Sequence, residues 1–291
     1  MKHILITGSN GQLGKKIKDV AVNYNNLKFI FIDIEDLDIS NSIGVNNFFD
    51  TTNVDLIVNC AAYTAVDLAE TEQKIAHAVN ASAPQILAKI ASRKKIKLLH
   101  ISTDYVFDGE KNTPYSESDI TNPLSVYGKT KLEGEQNIIE ENADAIIIRT
   151  SWLYSEYGNN FAKTMIRLGK EKEFLKVVFD QTGTPTYAGD LAEIILFIAD
   201  KYFKEDFWAA GTYHFSNQGV CSWYDFAVKI LKHLKINTEI FPVLSNEFPT
   251  VAIRPKYSVL NKSKISQTYN FKIPHWEDSC EKMLNFIKTT L

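Results

Sequence analysis

The sequence predicts an α/β fold with a doubly wound parallel sheet, followed by a smaller C-terminal unit. Short apolar runs alternate with stretches of helical periodicity, as expected for strands that are buried on both faces and linked by helices. Three glycines follow the first run at three-residue intervals, and the alternation loosens beyond residue 154. We therefore predict one unit over residues 1–154, with return segments near 175–205, and a discontinuous second unit mainly over residues 155–291.

The first predicted strand, at residues 3–6, leads into Gly8, Gly11 and Gly14, and helical spacing begins directly after them. In this context one glycine permits a tight turn, another lets the backbone approach a pyrophosphate, and the third lets the helix pack on the strand. The helix N-terminus would face the anion. Loops are often rich in glycine, but strand, glycines and helix in this order predict a dinucleotide site.

The next apolar run, at residues 29–32, ends at Asp33, roughly 20 residues past the glycines. A carboxylate at this place can bind the adenosine ribose hydroxyls, which favours NADH over NADPH. A solvated acidic turn is the alternative interpretation, because Glu35, Asp36 and Asp38 follow closely.

A third buried strand is predicted at residues 56–59, and small residues at 60–67 would let a cofactor lie against its end. A helical stretch follows at residues 70–93, in which Pro84 marks a break or a restart. The fourth strand is predicted at residues 98–101.

The fourth strand ends in the segment 102–105, Ser-Thr-Asp-Tyr. Parallel strands connected by helices place ligands in the crevice at their carboxyl ends. A hydroxyl in this segment could therefore bind a substrate carbonyl. A capping serine or threonine without a catalytic part is the alternative.

Tyr127 and Lys131 are four residues apart in a predicted helix and project from the same face. A free tyrosine has a pKa near ~10, and a cation within roughly 4–6 Å brings it closer to neutral pH. Such a tyrosine can donate a proton to a developing alkoxide. The same spacing recurs at Tyr24 and Lys28, so the pattern alone identifies no site. The position after the fourth strand favours Tyr127.

The rest of the chain predicts a fifth strand at residues 145–149 and then elements that cannot all belong to one sheet. We interpret them as a smaller lid with some segments that return to the first unit. The expected elements are helices that open at 159–161 and after 180–186, a strand at 211–215, a capping box at 222–225 with a helix through Leu234, a strand at 239–243, a turn at 254–255 and a helix at 276–290.

The composition is that of an ordinary globular chain, with 291 residues, 45% of them hydrophobic, and a net charge of −3. It offers no electrostatic case for nucleic acid, and no apolar run approaches the ~18 residues of a membrane span. The cysteines at 60, 221 and 280 match no metal or redox spacing, and the six histidines are scattered. We expect reduced thiols, structural or surface histidines, and a cytoplasmic protein without nucleic-acid or membrane partners.

These motifs together resemble the extended short-chain dehydrogenase/reductases, and among them the dTDP-4-dehydrorhamnose reductases. The resemblance runs nearly from end to end. Its specific parts are Gly8-x-x-Gly11-x-x-Gly14, residues 59–67, residues 102–107, Tyr127 with Lys131, residues 149–152, residues 158–165 and Arg254-Pro255.

The resemblance implies a Rossmann-type domain, a C-terminal substrate-binding domain and reduction of the C4 keto group of dTDP-4-dehydro-L-rhamnose to dTDP-L-rhamnose for surface polysaccharide. NADPH or NADH would be the cofactor, and Thr103, Tyr127 and Lys131 would be catalytic. The implied cofactor contacts are Gly8, Asn10, Gly11, Gln12, Leu13, Gly14, Asp33, Asp38, Ile39, Ala61, Ala62, Tyr63, Tyr127 and Lys131. The implied substrate contacts are Val66, Thr103, Asp104, Tyr105, Tyr127, Trp152, Asn160 and Arg254.

One departure concerns metal. Some members dimerise around magnesium held by glutamates, one of them on the first helix, where this chain has Lys15 and Lys16. We therefore predict no metal and a monomer or weak homodimer. Two alternatives remain open. One is another nucleotide-sugar epimerase or 4-keto reductase, and the other is a non-catalytic nucleotide-binding subunit like the regulatory subunit of methionine adenosyltransferase.

Overall fold

The computed structural model describes residues 1–142 and 144–290 and forms an α/β fold. The strands are β1 (Lys2–Thr7), β2 (Leu27–Phe31), β3 (Leu56–Asn59), β4 (Lys97–Thr103), β5 (Ile146–Thr150), β6 (Leu153–Tyr154), β7 (Phe174–Val178), β8 (Thr182–Gly183), β9 (Thr186–Tyr187), β10 (Gly211–His214), β11 (Cys221–Ser222) and β12 (Glu239–Val243). The helices are α1 (Gln12–Ala21), α2 (Ser42–Thr51), α3 (Val66–Ala69), α4 (Gln73–His77), α5 (Ala83–Lys94), α6 (Val126–Glu141), α7 (Phe161–Glu171), α8 (Ala188–Glu205), α9 (Trp223–Leu234), α10 (Ser263–Tyr269) and α11 (Trp276–Thr290).

The central sheet has six parallel strands in the order β2-β1-β3-β4-β5-β10. Its first five strands are those that the apolar runs predicted. The strand order reverses between β1 and β3, and ligands of open α/β sheets bind in the crevice outside such a switch point. The glycine turn follows β1 and the small residues follow β3, so both segments flank that crevice.

Alternate residues of the strands supply two separate cores, because successive side chains of a strand point to opposite faces. Ile4 and Ile6 pack with α1 and α8 on one face, whereas Leu5 packs with α2 and α5 on the other. All three side chains are fully buried. Helices therefore cover both faces of the sheet, as the predicted doubly wound architecture requires.

The helical stretch after β3 is broken into four pieces. α3, α4, a π-helical turn at Ala78–Ser82 and α5 follow one another. Pro84 lies in the first turn of α5, directly after the π-helical turn. The chain is already helical before Pro84, so the proline coincides with a change of hydrogen-bond pattern and not with a break between two helices.

Segments of the C-terminal part return to the central sheet. The helix α8 packs in the same core as α1, and the strand β10 pairs with β5. The segment Phe174–Val178 pairs with β12, outside that sheet. The domain division given above, with return segments near 175–205, remains a prediction.

The lid elements share a third core built from α7, α9 and α11. The predicted capping box is confirmed, with Ser222 and Asp225 closing the start of α9. No helix within the described part of the chain is both long and apolar enough to cross a bilayer.

Candidate active site

The glycine turn lies directly against the segment that follows β3. Gly8 has a φ of +63°, and a Cβ added there would lie 2.7 Å from the Ala61 backbone. A Cβ at Gly14 would lie 2.4 Å from the carbonyl oxygen of Gly8. Side chains are excluded at both positions, and Gly11 starts α1 without a side-chain cap. The backbone N–H groups at the start of α1 can therefore face a pyrophosphate, so these residues fit a dinucleotide.

Asp33 lies beside this turn. Its Oδ2 accepts a hydrogen bond from the backbone N–H of Asn10 at 2.7 Å, and its Oδ1 accepts from that of Ile34 at 2.8 Å. Asp38, in contrast, accepts from the N–H and hydroxyl of Ser40 in a local turn, and Ile39 is buried in the core below it. Only Asp33 of these three has its side chain hydrogen-bonded to the glycine turn.

Tyr127 lies in the first turn of α6, where the Ser125 hydroxyl accepts from the N–H of Gly128. A Cβ at Gly128 would lie 2.3 Å from the carbonyl oxygen of Tyr105, so the helix start must pack directly on the end of β4. The rings of Tyr105 and Tyr127 meet edge to face at a centroid distance of 5.4 Å. Tyr127 is thereby placed among residues predicted to bind cofactor or substrate.

Three of those predicted residues form one cluster with Tyr127, namely Tyr63, Val66 and Tyr105. The N–H of Tyr63 donates to Oδ1 of Asn80, and Nδ2 of Asn80 donates to the carbonyl oxygen of Tyr63. The predicted contacts before α3 and after β4 are therefore adjacent in space, although they lie about 40 residues apart in the chain.

The ionisation of Tyr127 differs from the prediction. Burial raises the pKa of its phenol to about 12, and a hydrogen bond between the Thr103 and Tyr127 hydroxyls offsets part of that rise. The expectation that Lys131 brings this pKa towards neutrality is wrong for this structure. Lys131 Nζ donates instead to the carbonyl oxygen of Ile101 at 2.6 Å, because the side chain runs under β4. Burial lowers the pKa of Lys131 to about 8.

Thr103 and Asp104 are hydrogen-bonded at the end of β4. The Thr103 hydroxyl donates to Oδ1 of Asp104 at 3.0 Å and accepts from the N–H of Tyr105 at 3.2 Å. Burial raises the pKa of Asp104 to about 7, and its Oδ2 has no hydrogen-bond partner in the described residues. The carboxyl can therefore hold a proton near neutral pH and act as a donor as well as an acceptor.

Trp152 follows β5, and Arg254 lies in the C-terminal part of the chain, near Tyr105. Trp152 has a φ of +48°, which is unusual for a bulky residue, and it stacks on Trp223 at 3.6 Å with the rings 10° apart. Arg254 forms a two-point ion pair with Asp67, at 3.1 and 2.7 Å. This pair bridges the segment after β3 to the chain after β12.

Asn160 is hydrogen-bonded within the protein. Its Oδ1 accepts from the N–H of Lys163 as the N-cap of α7, and its Nδ2 donates to Oε1 of Gln12 and the carbonyl oxygen of Ser155, both at 2.8 Å. The side chain thus links the lid to the glycine turn. Its expected contact with substrate stays a prediction.

The first-helix lysine that replaces an expected metal ligand has its own partners. Lys16 Nζ is 2.8 Å from Glu156 and 3.0 Å from Asp19. Within residues 1–142 and 144–290, no group of three or more histidine, cysteine or acidic side chains could hold a metal ion. The expectations of a metal-free protein and of a monomer or weak homodimer stay predictions.

Sequence reasoning missed the residues behind Lys131. His100 is fully buried in β4, and its Nε2 lies 3.3 Å from Lys131 Nζ. Glu135, one turn after Lys131, is bound by Arg149 through three contacts of 2.7 to 3.1 Å. The signal was a histidine inside an otherwise apolar strand, which the expectation of structural or surface histidines passed over.

Comparisons with known proteins find similarity over nearly the whole chain. The family model described as "RmlD substrate binding domain" matches residues 1–289. The dTDP-4-dehydrorhamnose reductase of Aggregatibacter actinomycetemcomitans is 42% identical over 283 residues, which cover 95% of this chain and 96% of the relative.

Two solved structures of proteins with that name superpose closely. The one from Clostridium acetobutylicum has a TM-score of 0.93 and 44% identity, covering 98% of this chain and 99% of the other. The one from Bacillus anthracis, solved in complex with NADP, has a TM-score of 0.92 and 40% identity, covering 99% and 100%.

The matches extend through the glycine turn and the lid alike, so they are not limited to a shared nucleotide-binding half. The resemblance predicted from the motifs is confirmed, and so is the Rossmann-type α/β architecture. The chain belongs to the dTDP-4-dehydrorhamnose reductase family.

Proposed function

We propose that this protein reduces the C4 keto group of dTDP-4-dehydro-L-rhamnose to dTDP-L-rhamnose, for surface polysaccharide. The observation that carries the proposal is the meeting of Thr103, Asp104 and Tyr127 at the carboxyl end of β4, beside a glycine turn that fits a dinucleotide. Family membership supports the choice of substrate.

The glycine turn and Asp33 would hold the cofactor, with Tyr63, Ala61 and Ala62 against the end of β3. A bound NADPH or NADH supplies the hydride for the carbonyl carbon. Of the remaining predicted contacts, Asn10 N–H already binds Asp33, while the buried side chain of Leu13 belongs to the core. These two residues are proposed to act through backbone and packing.

Tyr127 is proposed as the proton donor to the substrate oxygen. Its phenol keeps its proton at neutral pH because burial raises its pKa to about 12, so the proton is present for transfer in the reducing direction. The Thr103 hydroxyl has one hydrogen, which it donates to Asp104 at 3.0 Å in this structure. It would polarise the carbonyl when Asp104 holds a proton, because the protonated carboxyl can donate to Thr103 Oγ1 and leave the Thr103 hydrogen for the substrate oxygen. Lys131 binds the ribose of the nicotinamide nucleotide and carries a mobile proton.

The substrate pocket is proposed to be closed by Val66, Tyr105, Trp152 and Arg254. Arg254 is held by Asp67 and can still present a cationic face to a pyrophosphate. A cytoplasmic location is also proposed, supported by the free thiols at 60, 221 and 280.

The test is to incubate the protein with dTDP-4-dehydro-L-rhamnose and either NADPH or NADH, and to follow the absorbance of the reduced cofactor. We expect oxidation of the cofactor and formation of dTDP-L-rhamnose, identified by NMR of the sugar. An epimerised product without net cofactor oxidation would favour an epimerase. Binding of cofactor without turnover would favour a non-catalytic subunit.

A further inference from the structure

A buried row of polar groups runs behind Lys131 and across three strands. Lys131 Nζ lies 3.3 Å from His100 Nε2, and His100 Nδ1 lies 3.0 Å from Asn59 Nδ2. Asn59 Oδ1 in turn accepts from the backbone N–H of Ala61 at 3.2 Å and from the Thr7 hydroxyl at 2.6 Å. Asn59 and His100 are almost wholly buried, so water cannot replace any of these contacts.

The row defines which ring nitrogen of His100 carries the proton. A backbone N–H can only donate, so Ala61 fixes the oxygen of the Asn59 amide on its own side and turns the NH₂ group towards His100. His100 Nδ1 must therefore accept. A neutral imidazole has one donor and one acceptor nitrogen, so the proton lies on Nε2, the atom that faces Lys131.

We propose that Asn59 and His100 are positioning residues that present an N–H donor to Lys131. The Lys131 Nζ therefore meets a donor, whereas a charged lysine would need an acceptor. The amine form of Lys131 satisfies the row, since it donates to the carbonyl oxygen of Ile101 and accepts from His100. In the ammonium form, an N–H of Lys131 would face the N–H of His100 Nε2, and two donors cannot form a hydrogen bond. Formation of the ammonium requires the His100 tautomer to change and the Asn59 amide to turn over.

The surroundings of Lys131 agree with this assignment. The titratable groups that face it are Glu135 on its own helix, Cys60 after β3 and His100 on β4. Glu135 favours the charged lysine but is itself neutralised by Arg149. Burial keeps His100 neutral by lowering its pKa well below the usual value, and burial lowers the pKa of Lys131 to about 8. A lysine whose pKa lies near the working pH can release and regain a proton easily.

The inference rests on the proposed function only for its kinetic consequence, so the main test does not use activity. Protein labelled with ¹⁵N-histidine reports the tautomer of each ring through its two nitrogen shifts, and the His100 signal is assigned by its loss in His100→Gln, or by elimination with the other histidine variants. We expect His100 to be neutral and protonated on Nε2 at pH 9, where Lys131 is an amine, and its tautomer to change as Lys131 gains a proton near pH 8. Protonation on Nδ1 at pH 9, or a charged ring, would overturn the proposal.

Asn59→Asp replaces the NH₂ donor of the Asn59 side chain by a carboxylate acceptor, with almost no change in side-chain shape. A carboxylate presents only acceptors, so His100 Nδ1 must donate to it and Nε2 must accept from Lys131. The tautomer should change, and the basic limb of the kcat/KM profile for ketone reduction should move up by about one pH unit. Thr7→Val is the matched control, because Ala61 still orients the amide and the tautomer should stay on Nε2.

The outcomes separate the two proposals. An unchanged tautomer in Asn59→Asp contradicts the positioning role whatever the activity is. The expected tautomers in a protein that does not reduce the sugar contradict the proposed function alone. If Asn59→Asp does not fold, the wild-type tautomer and that of Thr7→Val still decide the question.

Discussion

The two Tyr-x-x-x-Lys segments of this chain have the same spacing but differ in secondary structure and in burial. Tyr24 lies in the turn between α1 and β2 and Lys28 lies in β2, so the two residues belong to different elements and Lys28 is exposed. Tyr127 and Lys131 lie on one helix, and both are buried. Each tyrosine has a pKa raised to about 12, mainly by burial.

The difference lies in the neighbours. Tyr24 is near the acids Glu193 and Asp200, which only oppose its ionisation. Tyr127 lies near the Thr103 hydroxyl at the carboxyl edge of the sheet, in one cluster with Tyr63 and Val66. A raised tyrosine pKa therefore does not identify an acid catalyst, whereas its hydrogen-bond partners and its place in the sheet do.

The largest expected effect separates the two tyrosines. Tyr127→Phe should lower kcat by about 10²–10⁴, as is typical when a positioned acid is lost, while Tyr24→Phe should leave kcat nearly unchanged. Steady-state reduction of the sugar nucleotide with matched amounts of folded protein measures both. Comparable losses in the two variants would remove the distinction.

Asp104 extends the comparison to protein stability. Of the two tyrosine regions, the one around Tyr127 contains a buried carboxyl with a raised pKa. The folded protein holds this proton up to about pH 7, whereas an unfolded aspartate releases it near 3.8. The stabilisation is complete below the unfolded pKa and is lost as the pH rises through the folded one. Asp104→Asn should gain on the order of 2–4 kcal/mol relative to wild type between pH 4 and pH 8.

Urea unfolding at pH 5 and pH 8 measures that change for Asp104→Asn. The urea midpoint of the wild type should fall more over this interval than that of the variant. Parallel midpoints would mean that Asp104 is ionised throughout, and it could then not donate to Thr103.

The two lysines should also separate. Lys131→Met should lower kcat/KM by about 10- to 10²-fold, because the cofactor ribose loses its partner and the reacting groups are misplaced. Lys28→Met removes an exposed charge and should leave kcat/KM within about twofold. A Lys131→Met variant with unchanged KM for the cofactor would argue against the ribose contact.

The smallest effect concerns what the Tyr24 region does contribute, namely the Asp33 carboxylate at the end of its strand. Asp33→Ala should raise the NADPH to NADH ratio of kcat/KM a few-fold, since a carboxylate repels a 2′-phosphate. Kinetics with each cofactor measure this ratio. An unchanged ratio would mean that Asp33 only fixes the glycine turn through Asn10.

Many features of the central sheet and of the glycine turn followed from local sequence patterns. The apolar runs that predicted β1, β3, β4 and β5 are recognisable because these strands are largely buried, whereas the edge strand β2 is mostly half-buried. Gly14 is dictated by contact with its own turn, but Gly8 is dictated by the Ala61 backbone after β3. The motifs also pointed to the family, and Tyr63, Val66 and Tyr105 do meet Tyr127.

The tertiary structure decided what depends on partners distant in sequence. Residues from other elements decide that Gly211–His214 pairs with the central sheet, that the Asn160 amide binds Gln12, and that Lys131 Nζ binds the Ile101 carbonyl oxygen. The predicted effect of Lys131 on Tyr127 was wrong because helical spacing gives the shared face but not the end point of a long side chain. Burial then outweighed charge, since β4 and its carbonyl oxygen at Ile101 cover the lysine, and no sequence pattern specifies that cover.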